Sequence, residues 1–258
     1  MPTAILALVL ALVLPLQSAD LAPTGTLRAS FIENNPNQGR VDPATKAVTG
    51  PAADLVRELA TRLGVKYEIT PLPSAGAVLE SVRGGKVDVG FLAYEAARAM
   101  LVDYSDDYSV TGSTFAVRGD SSLKRSADVD RAGVTVAAVR GQSPEVYLRE
   151  TLKAARLNSL PTAPPNAELA KMLLGGEAHA VGANRTRMEE LVREFPALRV
   201  LPDDFTQTTQ AIVVAKGRAS QLSYLNRFLA EVRASGFVKA SLAKANLVGV
   251  DVAPPTKR

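Results

Sequence analysis

The feature that most constrains the fold of this chain is the alternation of short apolar runs with amphipathic helical segments. Residues 26–32 form an apolar run of strand length, and residues 51–63 place apolar side chains at helical spacing before Gly64. Another buried strand is expected over 87–91. Because parallel strands need a long crossover, usually a helix, this alternation predicts an α/β fold with a largely parallel sheet.

The second half of the chain repeats this alternation beyond residue 125. It contains the predicted strands 133–139, 178–183 and 198–201 and the predicted helices 144–156, 166–174, 186–195 and 220–232. No low-complexity linker separates the two halves, and no repeat of solenoid period runs through them. We therefore expect two α/β layers of similar size, joined by short crossings.

The N-terminal region is typical of an export signal. The run 4–14 is uninterruptedly apolar, which suits the core of a signal peptide but is too short to span a bilayer. No lysine or arginine precedes it, so an uncleaved anchor or a misplaced start codon remain alternatives. We expect a signal peptide over residues 1–19, cleaved between 18 and 22, and a mature protein in the periplasm.

The composition excludes several classes of function. The chain has no cysteine, which removes disulfides, thiolate metal sites and lipid attachment. Its one histidine, His179, makes hydrolase triads improbable and is interpreted as structural. The net charge of +4 is spread along the chain with only 5% aromatic residues, which argues against nucleic-acid binding.

One continuous segment, residues 87–108, reads VDVGFLAYEAARAMLVDYSDDY. It resembles the type II periplasmic solute-binding proteins of amino-acid ABC importers, the family 3 extracellular solute-binding proteins. Residues 85–88 match the family's Gly-Lys-x-Asp strand, 95–98 its Glu-Arg turn, and 102–105 with Tyr108 its Val-Asp-Phe-Ser-x-Pro-Tyr segment. Further matches are GTLRAS at Gly25, ELATRLGV at Glu58, VRGQSPE at Val139, GGEAHAVGAN at Gly175 and ASGFVKASL at Ala234. Their shared order makes the resemblance specific along the whole mature chain.

The resemblance implies a two-lobed periplasmic-binding-protein type II fold, with mixed sheets flanked by helices and a two-strand hinge. By analogy, the crossings fall near 112–117 and 209–213. Lobe 1 then combines residues 24–112 with 211–250, and lobe 2 spans 113–210. A ligand bound between such lobes favours the closed state through contacts that exist only there.

The resemblance places Arg98 on the family's carboxylate-binding arginine. A guanidinium binds a carboxylate bidentately through charge-assisted hydrogen bonds of roughly 1.5–3 kcal/mol. A second anion contact is expected after the strand 133–139, where Gly141 and Gln142 lead into a helix capped by Ser143. Ser143 matches a family threonine that contacts the carboxylate, although a capping role alone would also explain it.

Other positions depart from the family pattern. Asn184 stands where the family has its amine-binding aspartate, and an ammonium group is costly to bury without a counter-charge. Ala93 lies in a turn that usually offers serine or threonine, and Asn34 and Asn35 stand where an aromatic ring commonly stacks on the ligand. Phe91 ends a strand and either forms a pocket wall or packs in the core. A carboxylate ligand is therefore a firmer expectation than an ordinary α-amino acid.

Three functions are compatible with this family. The expected one is a monomeric binding protein that delivers a small carboxylate, an amino acid or related organic acid, to an ABC permease in the inner membrane. It needs no catalytic residue, cofactor or metal. An enzyme resembling the periplasmic cyclohexadienyl dehydratases would take an acid or base from Glu33, Glu95 or Glu145. A receptor's sensory domain is disfavoured because no signalling segment follows residue 250.

Overall fold

The structure is a computed structural model that describes residues 20–33 and 35–256. The expected signal peptide and Asn34 lie outside the described residues. Strands β1 to β12 cover Thr26–Ile32, Arg40–Val41, Val48–Thr49, Lys66–Leu72, Val89–Ala93, Val102–Arg118, Thr135–Val139, Arg156–Leu160, Ala180–Asn184, Leu198–Val200, Thr206–Ala215 and Val250–Val252. Helices α1 to α8 cover Pro51–Leu63, Ala75–Arg83, Ala96–Ala99, Ser143–Thr151, Asn166–Leu174, Arg185–Glu194, Ala219–Ala234 and Phe237–Lys244.

The main sheet has the strand order β4-β1-β5-β11-β6-β9-β7-β8, and β10 and β12 also pair with β6. Pairing is parallel at both ends, where β1 joins β4 and β5, and β7 joins β8 and β9. In the middle, β11 runs antiparallel to β5 and β6, and β6 runs antiparallel to β9. The expected mixed α/β architecture is confirmed, whereas a largely parallel sheet describes only the two ends.

Local sequence signals define the first helix. Proline occupies its first turn together with Asp54, a position that favours negative charge, and Gly64 ends it in the left-handed conformation at φ 67°. The Gly64 backbone N–H caps the carbonyls of Ala60 and Thr61. The helix predicted over 51–63 is therefore confirmed at both ends, because each end is set by residues within the segment itself.

The helix predicted over 144–156 is wrong at its C-terminal end. It stops at Thr151, and Arg156 begins strand β8. The cause is Asp130, whose carboxylate accepts hydrogen bonds from the backbone N–H groups of Lys153, Ala154 and Ala155 at 2.8–3.0 Å. These amides are thereby withdrawn from the helix by a side chain more than twenty residues away.

Four clusters of apolar side chains make up two separate cores, one in each lobe. The first lies between β1, β5 and the helices α1, α2, α7 and α8, with Leu55, Phe91 and Phe228 among its members. The second lies between β7, β9 and the helices α4, α5 and α6, with Leu148 and Leu191. Strand β6 contributes to both, because its first half packs in the first core and its last residues in the second. This arrangement is that of a two-lobed protein whose lobes share long central strands.

Close packing of α2 on the sheet gives a stability test at Gly90. A Cβ atom there would lie 2.7 Å from Val82 and 2.9 Å from Val78. We expect Gly90→Ala to lower the free energy of unfolding by about 1–3 kcal/mol through overpacking, measured by urea denaturation. Gly76→Ala is the control: it lies in helix α2, and its nearest atom is 3.8 Å from the added Cβ. It should be neutral or stabilise by up to about 1 kcal/mol. Equal midpoints for the two variants would contradict the prediction.

Candidate ligand-binding cleft

A small cavity lies between the two lobes, where the end of β5 faces the start of α4. We call it the inner cavity. Its lining residues are Ile32, Asn35, Ala75, Ala93, Arg98, Gln142, Ser143, Pro144, Asn184, Thr208 and Gln210. Six residues expected from the sequence are therefore brought together here: Asn35, Ala93, Arg98, Gln142, Ser143 and Asn184. The free space in the cavity is about 10 Å³, close to what one water molecule occupies, so the lobes are nearly shut around it.

The Arg98 guanidinium holds the two sides of the cavity together. Its Nη1 donates to the carbonyl of Ala93 at 2.9 Å, and its Nη2 donates to the carbonyl of Gly141 at 2.5 Å. The Tyr104 hydroxyl donates to the same Ala93 oxygen at 2.9 Å. The cation is thus oriented by backbone oxygens from both lobes. These are neutral acceptors, and a carboxylate would bind the same donors more strongly.

The start of α4 forms the opposite wall. Gly141 adopts φ +71°, which turns the chain out of β7. The N-cap is Gln142, and its side chain makes no capping bond, so the expected cap at Ser143 is wrong by one position. Ser143 is 7% exposed, and its Oγ has no hydrogen-bond partner among the residues that the structure describes. A buried hydroxyl in the lining of a cavity, beside the free N–H groups of a helix start, suits an anionic ligand.

Glu145 supports this turn from behind. Its Oε2 accepts from the Gly141 backbone N–H at 2.9 Å, its Oε1 accepts from the Ser159 hydroxyl at 2.8 Å, and it is 1% exposed. Both carboxylate oxygens therefore hold the protein's own groups. Glu33 and Glu95, the other carboxylates considered for acid or base chemistry, are likewise absent from the inner lining. Arg98 is accordingly the one formally charged side chain that lines the inner cavity in the described part of the chain.

Amide groups from β11 and the loop after β1 complete the cavity. Gln210 is 1% exposed, and its Oε1 accepts from Gln38 Nε2 at 2.9 Å. Gln38 Oε1 in turn accepts from the Ile32 backbone N–H at 2.8 Å. Asn184 ends β9, where its Oδ1 accepts weakly from Ser113 at 3.5 Å. Sequence reasoning missed Gln210, although its position in the alternating TQTTQ run was a usable signal.

One expected position does not line the cavity, and another lies outside the described residues. Phe91 is 1% exposed and packs edge-on against Tyr108, with ring centroids 5.9 Å apart, so it is a core residue and does not line the cavity. Asn34 lies outside the described residues. His179 accepts a hydrogen bond on Nδ1 from the Thr135 backbone N–H at 3.0 Å, a structural contact at a strand start.

Two α/β lobes, shared central strands and a polar cleft between them define a type II periplasmic solute-binding protein. Residues 27–246 match the family model of the bacterial extracellular solute-binding proteins, family 3, and the chain belongs to that family. The expected family and fold are thereby confirmed. No helix in the described ranges has the length and apolar character needed to cross a membrane.

Several known proteins are similar to this chain in sequence or in structure. A glutamine-binding protein of Geobacillus stearothermophilus is 25% identical over 183 residues, covering 69% of this chain and 68% of the relative. A putative ABC-transporter binding component from Wolinella succinogenes, complexed with lysine, superposes with TM-score 0.76 at 23% identity, covering 86% and 95% of the two chains. An ancestral amino-acid-binding protein, described as a precursor of cyclohexadienyl dehydratase, has TM-score 0.75 at 26% identity, covering 88% and 98%.

The role of Glu145 as a positioning residue can be tested by Glu145→Gln. The amide can still accept from Gly141 and donate to the Ser159 hydroxyl, but it loses the negative charge that strengthens both hydrogen bonds and the ion pair with Arg149 at 3.6 Å. We therefore expect a loss of about 1–2 kcal/mol in unfolding free energy. Chemical denaturation measures this loss. Glu150→Gln, at an exposed position of the same helix, is the control and should leave the midpoint unchanged. An unchanged midpoint in Glu145→Gln would mean that the negative charge of Glu145 does not stabilise the turn.

Proposed function

We propose that this protein captures a small carboxylate-bearing solute between its lobes, with Arg98 as the carboxylate anchor, and presents it to the permease of an ABC importer. The observation that carries the proposal is the inner cavity itself. It combines the Arg98 guanidinium, an unpartnered Ser143 hydroxyl and the start of helix α4. No carboxylate among the described lining residues competes for the cation. Together these groups complement a single anionic group.

Ligand binding and lobe closure are coupled through Arg98. In the nearly shut conformation its guanidinium already reaches across to the Gly141 carbonyl. An entering carboxylate replaces such carbonyls as the acceptor and also reaches the N–H groups at the start of α4. Because these contacts come from opposite lobes, they exist together only when the lobes are close, so the solute favours the closed state.

The lining also limits the solute's charge. Apart from Arg98, its polar groups are the amides of Asn35, Gln142, Asn184 and Gln210 and the hydroxyls of Ser143 and Thr208. A positively charged solute side chain would find no counter-ion in this lining and would be costly to bury. We infer an uncharged or acidic amino acid, or a related organic acid, with the Asn184 amide oxygen as the acceptor for any α-ammonium group.

Further features of the proposal concern organisation and location. The separation of the two cores supports a division into residues 24–112 with 211–250 and residues 113–210. Membership of an extracellular solute-binding family supports export through the apolar segment near the N-terminus, with residues 1–19 as signal peptide and the periplasm as destination. We also propose that the protein acts as a monomer.

A dehydratase function finds no comparable support. Of the three carboxylates considered for it, Glu145 uses both oxygens to hold the protein's own turn. Glu33 and Glu95 do not line the inner cavity. General acid or base catalysis requires a group within hydrogen-bond reach of the reacting atoms, and none of these three carboxylates lines the inner cavity.

The anchor is tested with Arg98→Ala and Arg98→Lys. A thermal-shift screen of amino acids, dicarboxylates and aromatic acids identifies stabilising solutes, because binding to the folded state raises the melting temperature. For the best solute, calorimetry should show a roughly tenfold or greater loss of affinity in Arg98→Ala, and an intermediate loss in Arg98→Lys, which keeps the charge without the planar fork.

Arg83→Ala serves as the control for the anchor test. Arg83 is an exposed residue of helix α2 that pairs with Glu80, so its loss should leave solute affinity unchanged. If Arg98→Ala binds the solute as tightly as Arg83→Ala does, Arg98 is not the anchor.

A further inference from the structure

A second and larger cavity opens beside the inner one, and we call it the outer cavity. Its volume is about 590 Å³, within the range of small-molecule sites. It lies between residues 33 and 36–46 on one side and the start of α5 and one face of α6 on the other. Arg187, in the first turn of α6, lines it. This arginine is 8% exposed, which is unusual for a charged side chain without an ionic partner.

The charge of Arg187 is poorly compensated. Its Nη2 donates to the Pro164 carbonyl at 2.5 Å, and no carboxylate of the described residues forms a salt bridge with it. Burial lowers the pKa of the Arg187 guanidinium below its usual value, an effect that the charge of Glu190 opposes. A buried cation in this state is costly unless a negative group comes to it.

The other charged groups of the outer cavity are mostly engaged. Arg40 forms a salt bridge with Glu190 across the cleft, and Glu194 accepts a hydrogen bond from the Asn166 amide at 3.0 Å. Glu33 and Lys46 are exposed at its rim. Arg187 therefore differs from these groups: it is buried, and its hydrogen-bond acceptor is a neutral backbone oxygen.

In two places, residues that line the inner cavity are close in sequence to residues that line the outer cavity. At the end of β1 and in the loop that follows it, Ile32 and Asn35 line the inner cavity, whereas Glu33 and Pro36 line the outer one. At the start of α6, Asn184 lines the inner cavity. Three positions on, Arg187 lines the outer one, and residues at this spacing lie roughly 5–6 Å apart on one helix face. A solute anchored in the inner cavity and extending past Asn184 would therefore reach the outer cavity.

We propose that the Arg187 guanidinium in the outer cavity binds a second carboxylate of the solute, so that the protein selects dicarboxylates over monocarboxylates. The proposal rests on the proposed function, since it assumes that the first carboxylate is held in the inner cavity by Arg98. The second carboxylate can belong to an organic diacid or to an acidic amino acid. Both present the same group to Arg187, and they differ only in the α-ammonium group.

The experiment is isothermal titration calorimetry with two matched pairs of ligands. Glutarate and valerate have the same number of carbon atoms but differ by one carboxylate, and L-glutamate and L-glutamine differ by carboxylate against amide. The proteins are the wild type, Arg187→Gln, Arg187→Lys and the control Arg193→Gln, which alters an exposed arginine on the same helix. Circular dichroism melting establishes that each variant is folded.

In the wild type we expect at least one pair to show a roughly tenfold preference for the diacid. Arg187→Gln should abolish this preference while affinity for the matched valerate or glutamine stays within about twofold, and Arg187→Lys should retain part of it. Arg193→Gln should behave as the wild type. A preference for glutarate alone identifies an organic diacid, and one for glutamate alone identifies an acidic amino acid.

The inference is wrong if the wild type shows no preference in either pair or binds none of the four compounds. It is equally wrong if the preference survives in Arg187→Gln, or if both members of a pair lose affinity together, as a purely structural role through Pro164 would produce. Arg98-dependent binding of valerate or glutamine without a diacid preference would overturn this inference and leave the proposed function standing. The two failures are therefore distinguishable.

Discussion

The antiparallel pairing of β6 and β11 is the interaction on which the rest of the structure depends. The register of this pair shifts on both sides of Ala211, and the Ser105 hydroxyl accepts the Ile212 backbone N–H at 2.9 Å within the irregular stretch. Such a bulge re-aims neighbouring side chains. It lies next to Gln210, which lines the inner cavity. The same strands that join the lobes therefore also furnish part of the cleft, so hinge geometry and site geometry cannot vary independently.

How much of this could be read from the sequence depends on how local each cause is. The first helix was predicted to the residue because Pro51 and Gly64 define its ends from within. Strand β6 was expected only as a hinge over 112–117, although it begins at Val102. Its alternate residues are buried but polar: Ser105, Asp107, Ser109, Thr111 and Ser113. A polar residue at a buried position breaks the hydrophobic period, and its partners come from a strand about a hundred residues later, which no local pattern reveals.

The residues of the candidate site also differ in whether a local sequence pattern could predict them. Arg98, Ser143 and Asn184 were expected because each lies at or just after the end of a strand within a recognisable motif. Strands β7 and β9 are parallel, so their ends meet at one edge of lobe 2, and β5 ends at the facing edge of lobe 1. Arg187 and Gln210 were missed for the opposite reason. An arginine in a polar helix is ordinarily exposed, whereas Arg187 is buried and donates to the Pro164 carbonyl, a contact that no local pattern reveals. Glu145 was considered as a possible acid or base. Its structural role could not be seen in the sequence, because its hydrogen-bond partners, the Gly141 amide and the Ser159 hydroxyl, meet it only in the folded chain.

The half-buried Arg98 and the buried Arg187 both use backbone carbonyls as acceptors: Arg98 those of Ala93 and Gly141, and Arg187 that of Pro164. A carbonyl satisfies the geometry of an N–H donor but carries only a partial negative charge, so it does not neutralise the cation. In the shut cleft both guanidiniums thus have hydrogen-bond acceptors but no full counter-charge. An anionic solute supplies the missing negative charge and can use the N–H donors that both guanidiniums already present. A negative group therefore stabilises the closed state more than the open state. A closing motion that depends on the solute requires this difference.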